Sequence, residues 1–336
     1  MPKYGGLNAP AWAIFYRESI HGVTWHRVTT QIDGGDILKQ GSFQIDDDET
    51  TLSLSVRCYE EILKLFEILV EELATDKVTI AKQDLARRSY FGRTHKPTPG
   101  CILSWSWSAE QIEAMVRSLT FGDYENSIGL PKLAIGNELI IVTEVAILDL
   151  KSQLPPGSIV EIGCSRLTIA TGSNDLLLLA VKSIDGKSLS MTDFIDRFQL
   201  KVGDRLVDIE PDVALKISEL ETALVKHEPF WVARLAEIDP ISIPFAKTGN
   251  RVINANIECQ EFSFSTSLNE AHFDGFALII IITFLSRVSR QNSFDIGMRF
   301  DRLTEQFAGL PDLWTEIVPV RFDLDYSLSF MQNFEC

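Results

Sequence analysis

The chain has 336 residues, of which 45% are hydrophobic, 10% aromatic and 23% charged. That is enough for about two to three domains, and it excludes a disordered, collagen-like or coiled-coil chain. The 31 basic and 47 acidic side chains leave a formal charge of −16, which weighs against a free-standing nucleic-acid binder.

Ala9 to Glu18 reads as a short helix with Trp12, Ile14 and Phe15 on an apolar face. Gly22 to Thr30 alternates as a strand, Asp33-Gly34-Gly35-Asp36 signals a turn, and Ile37 to Ile45 reads as the returning strand. His21 precedes the strand as a surface turn residue, and His26 sits on it. An acidic run, Asp46 to Glu49, leads to a long helix with Thr51 as its N-cap and Leu54, Ile62, Leu65, Phe66 and Leu69 among its apolar positions. Residues 81–99 read as an extended, locally basic linker carrying Arg87, Arg88, Arg93 and Lys96.

Ser108 caps the next helix. Short strands follow at Lys132 to Ile135, Glu138 to Leu150, Ser158 to Cys164, Arg166 to Thr171 and Leu176 to Ile184. Regularly turned short strands suggest a small antiparallel barrel. Trp105 and Trp107, at period two, would share a packed strand face. Beyond residue 201 come a helix at Ala214 to Val225, polar strands at Arg251 to Asn256 and Glu261 to Ser265, a helix at Ala277 to Val288 and a strand at Val318 to Leu324.

Cys58, Cys101, Cys164, Cys259 and Cys336 form no CxxC pair. Neither a zinc ribbon nor a disulfide scaffold is expected, and no metal site. The aliphatic run Phe276 to Leu285 is too short to span a bilayer, and the first residues lack a signal-peptide core. The expectation is a cytoplasmic protein that contacts no membrane.

The run Met1-Pro-Lys-Tyr-Gly-Gly-Leu-Asn-Ala-Pro-Ala-Trp-Ala-Ile resembles the loop and helix after the catalytic Asn-x-His of folate-dependent formyltransferases. His21-Gly-Val-Thr-Trp-His26 and Ile32-Asp-Gly-Gly-Asp-Ile-Leu38 follow in the order of that family. Residues 100–195 resemble its C-terminal OB-like domain through Ile102 to Trp107, Ser108-Ala-Glu110, Arg117-Ser-Leu119, Pro156-Gly157 and Ser188 to Phe194. Trp105-x-Trp107, Phe121-Gly-Asp-Tyr124 and Gly129-Leu-Pro-Lys132 look most like formylation domains fused to nonribosomal peptide synthetases. Val225 to Leu235 resembles a linker of such enzymes, and Ala277 to Met298 with Val318 to Phe322 resembles part of a condensation domain. The motif around His272 lacks the first histidine of the condensation signature and has the wrong spacing, so no peptide-bond formation is expected.

The resemblance implies an α+β protein. Residues 1–80 would be the C-terminal half of a formyltransferase α/β catalytic domain and 81–99 a linker. Residues 100–200 would be an OB-like β-barrel, and 201–336 a linker with a partial condensation-like α/β segment. It implies 10-formyltetrahydrofolate as co-substrate and a carrier-bound aminoacyl amine as acceptor, with peptidyl carrier and adenylation domains as partners. Asp33 matches the family's catalytic aspartate; His26, Gly34, Gly35, Tyr4 and Asn8 would line the site. The sequence holds no Asn-x-His. The expectation is therefore a fragment inactive alone, with no tight folate binding. The alternatives are a non-catalytic docking module for carrier or adenylation domains, or a degraded standalone tRNA or sugar formyltransferase relative.

Overall fold

The computed structural model describes residues 2–97, 99–244, 270–310, 314–315, 317–329 and 332, without the side chains of 270–274, 276 and 304. The strands read at 251–256 and 261–265, and the His272 side chain, lie outside what is described. The chain divides into two compact units, 1–226 with 309–314, and 227–308 with 315–336. Among the described residues no helix is long and apolar enough to cross a membrane.

The first unit opens with β1 (Gly5–Gly6), α1 (Ala9–Phe15), β2 (Ile20–His26), β3 (Ile37–Gln44), α2 (Thr51–Ala74) and β4 (Tyr90–Phe91). β2 and β3 are antiparallel, from Ile20 opposite Gln44 to Trp25 opposite Lys39, with a bulge at His26. This alternation turns His21 and Val23 inward, so His21 is buried inside β2 and is not a surface turn residue. The N-cap of α2 is Thr50 and not Thr51. Thr50 Oγ1 accepts from Ser53 N at 3.2 Å and Ser53 Oγ accepts from Thr50 N at 3.0 Å, a reciprocal cap that only position 50 can make with the serine three residues on. Thr51 is instead buried, donating its hydroxyl to Ser118 O at 2.6 Å.

The stretch read as a linker is extended but is seated on this region. Ala81 and Ile37 exchange backbone bonds of 2.7 and 2.9 Å. β4 pairs in parallel with β1, Gly5 to Tyr90 and Gly6 to Phe91. The Phe91 ring stacks on Trp12 with centroids 4.5 Å apart. Backbone groups of β1 would otherwise face no partner, which is the physical reason the segment docks.

Ser108 caps α3 (Ala109–Ser118) as the sequence predicts, with Gln111 returning the bond. β5 (Lys132–Ile135), β6 (Glu138–Ile147), β7 (Ile159–Ile162), β8 (Leu167–Ile169), β9 (Leu176–Ser183) and β10 (Ser188–Leu189) follow, then α4 (Met191–Phe198) and α5 (Pro211–Leu224). The sheet runs β5-β6-β9-β8-β7 with β10 also on β9, every pair antiparallel. Its ends, β5 and β7, do not pair with each other among the described residues, so the predicted barrel is a half-barrel. α3 fills its concave side: Ile112 and Met115 meet Leu133, Ile140, Val142, Ile159, Leu167, Ile169 and Leu176 in one buried cluster. Each such side chain contributes about 1.5–3 kcal/mol of burial. Ala11 of α1 belongs to the same cluster, which joins the two halves of this unit. Trp105 and Trp107 lie in a turn before α3, not on a strand; Trp105 is buried in the cluster and Trp107 packs on it.

The second unit comprises α6 (Glu228–Ala236), α7 (Glu270–Ser289), β11 (Ser293–Arg299), α8 (Asp301–Phe307) and β12 (Ile317–Asp323). β11 and β12 are antiparallel from Ser293 opposite Asp323 to Arg299 opposite Ile317. Ile279, Ile282, Phe294 and Leu324 form its small core. Asp295, with a 2% exposed side chain, is clasped by Arg234 and by Arg321 at 2.9 Å and accepts Asp239 N–H at 2.7 Å. The Arg234 hydrogen bond is the main reason its carboxyl titrates well below the usual carboxylate range.

Candidate active site

The loop of residues 27–36 joins β2 to β3 and carries the aspartate singled out by sequence. Arg27 N–H donates to Asp36 O at 2.9 Å across the loop's neck. Gly35 passes so close to this neck that a Cβ would stand 1.8 Å from Arg27 O, so no side chain fits there. Asp33 adopts a left-handed backbone, φ 52°, which aspartate tolerates better than most residues. This turns its carboxylate toward β1 and β2.

One carboxylate oxygen, Oδ2, accepts the Gly6 N–H at 2.6 Å. The other, Oδ1, stands 3.6 Å from His26 Nε2, both side chains being partly accessible. The other imidazole nitrogen, Nδ1, lies 2.9 Å from Arg27 O. A carbonyl only accepts, so Nδ1 must carry a proton. Nε2 then either holds a second proton, making its approach to Asp33 attractive, or presents a lone pair to a carboxylate. Nε2 and Oδ1 thus face each other without a direct hydrogen bond at this distance.

Two side chains from the former linker fix the loop. Gln83 Nε2 donates to Asp33 O at 3.0 Å and to Gly35 O at 2.5 Å. Arg88 Nη2 donates to Ile32 O at 2.8 Å while its guanidinium lies over the Tyr90 ring at 5.1 Å. Sequence reasoning missed both anchors. Arg88 had a signal, being in a basic run, but Gln83 had none.

The structure brings together Asp33, His26, Gly34 and Gly35, and it does not bring Tyr4 or Asn8 side chains to them. Gly34 N–H donates to Gln31 O at 3.2 Å inside the loop. Tyr4 donates its hydroxyl to Glu18 at 2.8 Å and its backbone N–H to Ser89 Oγ at 2.8 Å. Burial first, then the Glu18 carboxylate, push the Tyr4 phenol above its ordinary range, so it remains a donor. Asn8 sits in a left-handed conformation ahead of α1 without capping it and donates to Ser127 Oγ at 3.2 Å. Among the described residues no His, Cys, Asp and Glu groups converge as a metal site.

An aspartate with one oxygen anchored to a backbone N–H and the other facing an imidazole is equipped for general acid–base work. Residues 1–67 match the family described as "Formyl transferase", and residues 98–199 match "Formyl transferase, C-terminal domain". Solved structures similar to the chain include WlaRD, a sugar 3N-formyl transferase solved with dTDP and 5-N-formyl-THF. It is 19% identical, with 55% of this chain and 62% of that chain covered and a TM-score of 0.42. HypX from Aquifex aeolicus in complex with tetrahydrofolic acid is 15% identical, with coverage of 60% and 34% and a TM-score of 0.45. The N-formyltransferase from Helicobacter canadensis, in complex with folinic acid and dTDP-3-aminofucose, is 19% identical, with coverage of 53% and 62% and a TM-score of 0.42. The chain thus spans less than two thirds of the length of each of these three.

Proposed function

We propose that this chain, a member of the formyltransferase family over residues 1–67 and 98–199, supplies the aspartate-bearing side of a folate-dependent formyl-transfer site. The observation that carries the reading is the Asp33 carboxylate held between the Gly6 N–H and His26 Nε2. 10-Formyltetrahydrofolate would supply the formyl group. An amine attacks the formyl carbon only when unprotonated, and the C–N bond it forms replaces the bond from that carbon to the folate nitrogen, which takes up the proton. Asp33 would orient and discharge the imidazole that carries this proton. In this reading the asparagine and histidine of the family's Asn-x-His come from outside the described residues, and the described residues alone do not complete transfer.

The finer proposal is that the acceptor is an aminoacyl group on a peptidyl carrier domain, within the formylation region of a nonribosomal peptide synthetase. Support comes from Trp105-x-Trp107, Phe121 to Tyr124 and Gly129 to Lys132, together with the condensation-like pattern of residues 277–298 and 318–322. A second reading, a docking module for carrier or adenylation domains, is favoured by one observation: the sequence contains no Asn-x-His.

The test is mass-spectrometric detection of formylated aminoacyl carrier, with 10-formyltetrahydrofolate as donor and the native polypeptide bearing these residues as catalyst. Asp33→Asn is expected to lower the rate by about 10²–10⁴-fold. Equal rates in both proteins would refute the role of Asp33. Carrier binding without formylation by either protein would establish the docking reading.

A further inference from the structure

We propose that the half-barrel carries a second binding site, a cavity along the outer edge of β5 that takes an extended, lysine- or arginine-bearing peptide segment as an added strand. The proposal is independent of formyl transfer. The cavity measures about 570 Å³ and lies between Ala134–Ile135 and the stretch 204–210 that leads into α5. Its size falls within the common range of ligand sites, about 300–1,000 Å³.

The first wall is an open strand edge. β5 ends the sheet. Pro131 O accepts Val142 N–H at 2.9 Å, so residues 131, 133 and 135 direct their main-chain groups to β6, and residues 132 and 134 direct theirs outward. The outward carbonyl of Lys132 is taken by Leu103 N–H at 2.7 Å. Two residues on, Ala134 offers its N–H and C=O to the cavity without a main-chain partner among the described residues. An unpaired edge of this kind is a template for strand addition.

The second wall has the same character. Leu206 N–H is the last donor tied to the barrel, at 2.8 Å from Gly157 O, and Glu210 O accepts the first helical bond of α5 from Ala214 N–H at 2.9 Å. Between these points Val207, Asp208 and Ile209 make no main-chain bond among the described residues. Ile135, Leu206 and Val207 supply apolar surface for alternate side chains of a guest strand.

Charge selects the guest. Three carboxylates, Asp204, Asp208 and Glu210, line the cavity against one cation, Arg205. Arg205 donates to Pro156 O at 3.0 Å. Asp208 is held at both oxygens, by Ser104 Oγ and Trp105 N–H, each at 2.7 Å. Asp204 accepts Lys201 N–H through one oxygen at 2.8 Å. Glu210 lines the cavity and spends no side-chain oxygen on capping α5, so its carboxylate is placed to meet an incoming ammonium or guanidinium.

The test uses the full chain and a fluorescein-labelled, acetylated and amidated short peptide of alternating valine and lysine, read by fluorescence anisotropy. Saturable binding is expected. The same peptide N-methylated at its central residues is expected to bind about tenfold weaker or less tightly still, because it cannot pair with the edge. Glu210→Gln is expected to weaken the lysine peptide by about twofold to fivefold, while Glu60→Gln on α2 leaves it unchanged. The proposal is overturned if the N-methylated peptide binds as well as the parent, if a valine–glutamate peptide binds as well, or if the parent shows no anisotropy change up to about 1 mM. The N-methylation arm uses the unaltered protein and so does not depend on a variant folding.

Discussion

Gly6→Ala tests how the aspartate is held. At Gly6, φ is +99° and an added Cβ would lie 2.3 Å from Phe91 O and 3.0 Å from Tyr90 Cε2. The obstacle is main chain in β4, so the strand must part from β1 to admit a methyl group. Forcing an L-residue into such a backbone costs about 1–3 kcal/mol, and losing the Gly6 N–H bond to the Asp33 carboxylate costs about 1.5–3 kcal/mol more. A total of about 2.5–6 kcal/mol raises local opening at least about 70-fold. Hydrogen exchange followed by mass spectrometry should show this in peptides covering residues 4–16 and 85–95. Gly136→Ala is the control: φ is +59° there, but nothing lies within 4 Å of the added carbon, so only the backbone penalty of about 1–2 kcal/mol applies. Unchanged protection in Gly6→Ala, or equal loosening of these two peptides by Gly136→Ala, would refute the reasoning.

Other outcomes follow from buried charge. Burial lowers the His21 pKa to about 4, below the unfolded value of about 6.5. The unfolded chain therefore binds more protons between these values. The His21 contribution is full above pH about 6.5 and is lost progressively toward pH about 4, on the order of 3 kcal/mol. Urea midpoints from pH 4 to 7 should flatten by this amount in His21→Gln, and an unchanged slope would contradict it. In the second unit, Asp295→Asn leaves Arg234 and Arg321 without their carboxylate and should destabilise β11 and β12 by about 3–5 kcal/mol. Faster amide exchange across residues 293–299 is the readout, and wild-type protection there would sink the prediction. The Asp295 carboxyl is held below its unfolded pKa by Arg234. Its stabilisation is present above pH about 4 and lost as pH falls through the lowered folded value.

Most elements of the first unit were legible because their local signals agree. Ser108 ahead of a periodic run gave the start of α3, and turn residues separated β5 to β9 within a few residues of their true ends. The Asp33-Gly34-Gly35-Asp36 turn between β2 and β3 was legible through its glycines. What stayed hidden depends on distant chain. β1 and β4 are two residues each and lie 85 positions apart, too short for any periodicity to register. Gln83 and Arg88 act through their side chains on backbone carbonyls of the 27–36 loop, and no spacing rule announces that. His21 was misread although a signal existed: two residues before Val23 on one strand, it had to share that inward face. Tyr4 and Asn8 both adopt left-handed backbones, φ 58° and 56°, a turn geometry the sequence did not expose, and their side chains bond to Glu18 and Ser127.

The parallel pairing of β1 with β4 also orders events in time. Closing so long a loop costs entropy that grows only logarithmically with length, but the closure must wait for the far strand to exist. During synthesis, β2, β3 and α2 can form while the Asp33 loop still lacks Gln83, Arg88 and the β4 edge. The loop's anchoring by Gln83 and Arg88 is complete only once the ribosome has released these residues, and in refolding from denaturant the long-range Trp12–Phe91 stacking should form later than the β2–β3 hairpin.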